Sequence, residues 1–296
     1  MSGIIPPPPP TQALTSTTFV PPPLDLSLTA AETIDFHRIH SPNHVAYVYE
    51  DASGECKQIT FSTWVRAIHR AVRQLRAMFE LPEPQVDVAK PVISLLANSG
   101  KAHTPCFSLL SRSKLMRFRL DTITYGTAML GIIRAECVAF AISPRNSAAG
   151  VAHLINKTGS QYITVTPDLK PLIDAGITIL KKQGSKIPEV QLMPIFKDLF
   201  PDDDSEDFEY LPEPKSKSAD DLVCILHSSG MSRHPRSVIE LHNNECYSQA
   251  RSRSQSRSPL RTGVGSVSHV CHGMGAEIYA ALSSVRMPSR FSMGWD

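Results

Sequence analysis

The sequence predicts an α/β fold, with a mostly parallel sheet flanked by helices. Three observations predict it. Residues 91–97 form an apolar run broken only by Ser94, the pattern of a strand covered on both faces. Shorter apolar runs at 137–142, 161–166 and 222–227 alternate with helical patterns at 122–135, 147–157 and 169–182, the order expected of repeated βαβ units. Apolar residues make up 42% of the 296 residues and charged residues 20%, enough to build a buried core.

The elements follow in order. The first 23 residues hold 8 of the 24 prolines. Proline fixes φ and lacks a donor, so residues 1–27 are expected to be a disordered or polyproline arm. Such an arm is a solvated tail, or a docking site for a proline-binding module. Ordered patterning begins near Leu28, which opens a partial domain over 28–296. Residues 45–49 and 59–61 read as strands, with Ser62 as the cap of the next helix. In that helix Trp64, Val65, Ile68, Val72, Leu75, Met78 and Phe79 recur at helical spacing. Arg66, Arg70, Arg73 and Arg76 take the other face, read as a solvated one. Residues 198–213 carry eight acidic side chains and no basic one, the pattern of a solvated loop.

Charge and cysteine content narrow the function classes. Net charge is +2 and the isoelectric point near 8.2, so no global basic field argues for nucleic acid. The alternating Arg/Ser residues at 251–258, within a divergent stretch at 250–268, carry three arginines and no interleaved aromatic ring. No apolar stretch reaches the roughly 18 residues of a membrane span. The proline-rich start does not resemble a signal peptide. The six cysteines lack C-x-x-C spacing and read as reduced thiols of a cytoplasmic protein. His37, His40 and His44 are spaced too irregularly for a metal site and read as surface residues.

The chemistry concentrates where the run at 222–227 enters Ser228–Ser229–Gly230–Met231–Ser232–Arg233–His234–Pro235–Arg236. A buried strand ending in hydroxyls, a glycine and a basic residue can cradle anionic oxygens. Taken alone, Ser-Ser-Gly is also a common turn. The P-loop pattern is absent.

These residues resemble the ANL superfamily of adenylate-forming enzymes, whose strand is followed by S-S-G-S-T-G-x-P-K. Further stretches agree. Asp121–Thr122–Ile123–Thr124–Tyr125 through Gly131–Ile132–Ile133–Arg134–Ala135 is similar to the family helix ending in G-x-x-R-A-G. Ser143–Pro144–Arg145–Asn146–Ser147 is similar to its P-R-N turn, and His272–Gly273–Met274–Gly275 to its H-G-M-G segment. The flavour is that of fungal carboxylic acid reductases of the aminoadipate-reductase-like type. The resemblance implies the incomplete N-terminal large subdomain of such an enzyme. It implies ATP with Mg2+ as cofactor, with Ser228, Ser229, Gly230, Ser232 and Arg236 on the phosphates. It implies a carboxylic acid as substrate, attacking the α-phosphate to give acyl-adenylate and pyrophosphate. His272 maps near the acyl pocket of relatives, although a structural turn explains it equally well. Met231 and Arg233 depart from the pattern, replacing a hydroxyl residue and a glycine. The family's later motifs are not in the sequence, so the chain is read as truncated and inactive as written. The alternatives are a pseudoenzyme that still binds nucleotide, and an interaction protein using the proline-rich arm and the Arg/Ser segment.

Residues 100–120 interrupt the resemblance. They hold five basic residues, no acidic one and no period, between a strand and a helix that short connections normally join. Removing them restores the continuous strand-to-helix text of the family. Codons 100–101 can read GGT-AAG and codons 120–121 TTA-GAT, holding a splice donor and an acceptor whose removal leaves an Asp codon in frame. A retained intron is expected, with a surface loop as the alternative.

Overall fold

The computed structural model describes residues 17–23, 27–51, 55–85, 88–98, 112–203, 208–215, 218, 220–227 and 238–242. Helix α1 spans Ala30–His40 and was not foreseen from the pattern. Thr29 closes a capping box with Glu32 at its start, which satisfies two otherwise orphaned N–H groups. Strands β1 (Val45–Glu50) and β2 (Cys56–Thr60) pair as an antiparallel hairpin. Helix α2 (Phe61–Phe79) follows directly, and its cap is Thr60, not Ser62: the Thr60 hydroxyl accepts from the Thr63 N–H.

Strand β3 (Val92–Leu96) leads to helix α3 (Arg112–Arg134). The helix was expected to begin at Thr122 and begins ten residues earlier, inside the segment expected to be structureless. Lys, Leu, Met and Arg are good helix formers, and no glycine or proline intervenes before Tyr125, so propensity carries the backbone without an apolar period. Next come β4 (Val138–Ile142), α4 (Ala148–Thr158), β5 (Tyr162–Val165), α5 (Lys170–Lys182), β6 (Glu189–Leu192), the single turn α6 (Phe196–Leu199), β7 (Leu222–His227) and β8 (Val238–His242).

Six strands form one sheet in the order β6-β5-β3-β4-β7-β8, parallel except for β8. Alternate residues of each strand serve opposite faces, as the pleat requires. Ile93, Leu95, Ala139, Ala141, Cys224 and Leu226 face one core with α1, α2 and α3. Val92, Leu96, Phe140, Ile142, Ile163, Val165 and Ile225 face the other with α4 and α5. A truncated sheet should leave one face bare. Among the described residues, β3, β4, β5 and β7 are instead covered on both, because the covering helices are local in sequence. Helices α2 and α3 pack at very close range: a Cβ on Gly131 would lie 2.7 Å from the Ala71 Cβ. Trp64 Nε1 donates to Thr127 Oγ1 at 3.0 Å across the same contact.

Three further expectations change. Residues 17–23 of the supposed arm lie against α1: Phe19 is buried, stacks on His37 and is joined by a bond from the Val20 N–H to Ser41 Oγ. His37 is accordingly a core residue, stacked 4.4 Å from Phe61, not a surface one. The arginine face of α2 is not simply solvated. Residues 208–214, the end of the acidic segment, run across it as a strap. Arg70 and Arg73 each hold their guanidinium 4.9 Å from the Phe208 ring, and Arg38 lies 4.2 Å from Tyr210. Arg70 also donates to the Leu199 carbonyl. Aromatic faces in this strap, with carbonyls of the strap and of α6, attract guanidinium groups that net acidity alone would leave in water.

Asp35 of α1 joins this strap to three helices. Its Oδ1 accepts from His69 Nε2 of α2 at 2.8 Å, and its Oδ2 accepts from Arg134 Nε of α3 at 3.0 Å. His69 is fully buried, and its Nδ1 accepts from the Leu211 N–H at 3.0 Å. Arg134 Nη2 donates to the Pro212 carbonyl at 2.7 Å. A backbone N–H can only donate, so Nδ1 carries the lone pair and the neutral ring's proton sits on Nε2.

Burial holds His69 below its ordinary pKa of 6.5, and the hydrogen bond to Asp35 only partly offsets this. For Asp35, burial pushes the carboxyl up, but the His69 hydrogen bond and the Arg134 charge outweigh it and leave it below 3.8. Both signs agree. A base with a lowered pKa gives stability that is complete above 6.5 and is lost as pH falls below it. An acid with a lowered pKa gives stability that is present above 3.8 and is lost as pH falls further. Urea unfolding should therefore show stability falling as pH drops below 6.5, with a slope that His69→Phe reduces; equal slopes for the two proteins would contradict the assignment.

Candidate functional site: the carboxyl edge of the sheet

In a parallel sheet the ligand crevice opens beyond the carboxyl ends of the strands, where successive connections leave to opposite faces. Here the connection after β3 goes to α3 on one face and that after β4 goes to α4 on the other. The carboxyl ends of β3, β4, β5 and β7 thus line one edge.

Two polar clamps organise this edge. At one, Asn98 Nδ2 beyond β3 donates to Asp168 Oδ2 beyond β5 at 2.7 Å. At the other, β7 ends on His227, whose ring is buried edge-on to Phe140. His227 Nε2 accepts from the Ser143 N–H at 3.0 Å, with Asn146 Nδ2 at 3.5 Å. Ser143 begins the turn between β4 and α4. In that turn the Ser143 carbonyl accepts from the Asn146 N–H and from its Nδ2, and Ser147 caps α4 by accepting from the Gly150 N–H. Arg145, in the same turn, is exposed.

The next residue after His227 is Ser228. The residues assigned to the phosphates, Ser228, Ser229, Gly230, Ser232 and Arg236, and the acyl-pocket candidate His272, lie outside the described residues, as do Met231 and Arg233. The structure brings together the strand that leads into that stretch and the Ser143–Asn146 turn, two segments 81 or more residues apart. His227 itself was missed. Its signal was a polar ring ending an apolar strand immediately before Ser-Ser-Gly.

Among the described residues no group of His, Cys, Asp and Glu is placed to hold a metal ion. Cys137 and Cys224 are buried thiols, and burial pushes Cys137 up to about 12, which makes it a poor nucleophile. No helix among the described residues is long and apolar enough to cross a membrane.

No protein-family model matches the chain. It is 35% identical over 243 residues to the adenylate-forming reductase Nps10 of Heterobasidion annosum, covering 80% of this chain and 20% of that one. It is 30% identical over 229 residues to the adenylate-forming reductase Nps11 of Serpula lacrymans var. lacrymans (strain S7.9), covering 75% and 18%. The chain belongs to the adenylate-forming ANL superfamily. It spans about one fifth of the length of the curated relatives it matches.

Solved structures agree on the fold of this ANL chain. The N-terminal domain of FACL13 from Mycobacterium tuberculosis superposes with a TM-score of 0.56 at 17% identity, covering 86% of this chain and 55% of that one. A structure from work on fatty acyl-adenylate ligases of E. coli and L. pneumophila gives 0.57 at 15% identity, covering 90% and 41%.

Proposed function

We propose that the chain is a piece of a carboxylate-adenylating enzyme of the reductase type and that its role is to hold ATP at the carboxyl edge of the sheet. The observation that carries this reading is the β4–β7 clamp, in which His227 fixes the strand that runs directly into Ser228. The names of the relatives support it, since Nps10 and Nps11 are adenylate-forming reductases. So does a fold neighbour, a fatty acyl-adenylate ligase from L. pneumophila in complex with acyl adenylate and pyrophosphate, superposing with a TM-score of 0.53.

In this reading the hydroxyls of Ser228, Ser229 and Ser232 and the guanidinium of Arg236 take the phosphate oxygens, with Gly230 allowing close approach. Magnesium would accompany the nucleotide phosphates. Bound ATP supplies the α-phosphate electrophile, and the substrate is a carboxylic acid. Arg236 stands where relatives carry lysine and keeps the charge in a planar, forked form. Arg233 in place of glycine restricts the loop, and Met231 removes a donor, so binding is weak. Transition-state stabilisation needs a complete preorganised set of donors, and Met231 and Arg233 already depart from the phosphate-loop pattern of the family. The buried thiols suit a cytoplasmic protein.

Residues 100–120 we read as a retained intron that extends α3 at its start. Transcripts from the native host should include a form lacking these 21 codons; uniform retention, or genomic DNA without GT at codon 100, would contradict this. For the 296-residue chain, calorimetric titration with Mg·ATP should give a Kd no tighter than about 1 mM, about −4 kcal/mol. Pyrophosphate release should stay at background with any carboxylic acid. Micromolar binding would contradict the weak-loop reading, and measurable release would contradict the inert one.

A further inference from the structure

We propose that His227 is a positioning residue of the nucleotide site, acting through its unprotonated Nε2 on the turn after β4. The proposal rests on the reading of the carboxyl edge as an ATP site and adds a residue to it.

The geometry is specific. Backbone pairing between β4 and β7 joins Ala139 with Cys224 and Phe140 with Ile225. Two residues further on, the two strands are joined by the His227 ring. Its Nε2 accepts from the Ser143 N–H at 3.0 Å and faces Asn146 Nδ2 at 3.5 Å. A backbone N–H and an amide nitrogen can only donate, so Nε2 must hold its lone pair, and the proton of the neutral ring belongs on Nδ1. The ring is 1% exposed and set against Phe140, so water does not compete for that lone pair.

Ser143 is the first residue past β4, and Ser228 is the next residue past His227. One ring therefore fixes where both chain segments leave the sheet. An apolar residue at 227 would strand the Ser143 N–H in a part-buried place, where an unmade hydrogen bond is costly. Glutamine can present its amide oxygen near the position of Nε2 and keep the bond.

The test uses the full chain labelled with 15N. Long-range ring correlations should show Nε2 unprotonated and Nδ1 protonated, and the Ser143 amide should move in His227→Leu but stay near its wild-type shift in His227→Gln. Amide shifts titrated with Mg·ATP read millimolar binding. His227→Leu should raise the Kd about fivefold, the loss of roughly one hydrogen bond, and His227→Gln should return it to within about twofold. Equal ATP affinity of wild type and His227→Leu would overturn the proposal and leave the ATP site standing. A wild-type chain with no ATP-dependent shifts would overturn the ATP reading and this proposal with it. If His227→Leu does not fold, the ring spectrum of the wild type decides: a protonated Nε2 rejects the proposal, and so does a folded His227→Gln chain whose ATP affinity drops as far as a lost bond predicts.

Discussion

The carboxylate of Asp35 is the constraint on which the packed half of the structure depends. It accepts from His69 and Arg134, and through them α1, α2, α3 and the strap at 208–214 share one polar junction. A buried carboxylate with no partner would be expelled, so the helices that supply its donors must meet there. The same three helices form one face of the sheet. Close contact at Gly131 and Ala71 then lets α2 and α3 lie side by side over Ala139 and Ala141, whose small side chains leave room for a helix above them.

The carboxyl ends of β3, β4, β5 and β7 share the edge to which the site is assigned. The connections after β3 and β4 go to helices on opposite faces, the topology at whose switch point parallel sheets place ligands. Asn98 with Asp168, and His227 with Ser143, each tie neighbouring strand ends together at this edge. The strap reaches the same strand from the other end. After residue 215 the chain enters β7, anchored near its start by the ion pair of Lys90 with Asp221 at 2.8 Å. Fold and site are thus linked by one strand, held at its beginning by charge and at its end by a neutral ring.

Much of this was legible in the sequence because burial on both faces writes a near-continuous apolar run. Residues 91–97, 137–142 and 222–227 each became a central strand within a residue or so. Helices α4 and α5 were equally plain from their periods. Edge elements were not: β6 carries Glu189 and Gln191 among its four residues and reads as loop. The polar junction was invisible because Asp35, His69 and Arg134 lie far apart in sequence, and each alone reads as a surface residue. The arginine face of α2 was misread for the same reason, since its partners in the strap come more than 130 residues later, as with Arg73 and the Glu209 carbonyl 136 residues on. His227 was hidden by its place in an apolar run, where a ring is read as filler until its Nε2 is seen against Ser143.

The central claim is that Asp35 and Arg134 act as one unit beneath the strap, and a double-mutant cycle tests it most directly. Asp35→Leu, Arg134→Met and the double variant would be compared by urea denaturation of the full chain. Each single change should cost up to about 3 kcal/mol, because Asp35→Leu leaves the buried Arg134 guanidinium with carbonyl partners only and Arg134→Met leaves the half-buried Asp35 with His69 alone. The double variant should cost about 2 kcal/mol less than the sum of the two. Costs that add to within about 0.5 kcal/mol would contradict the account.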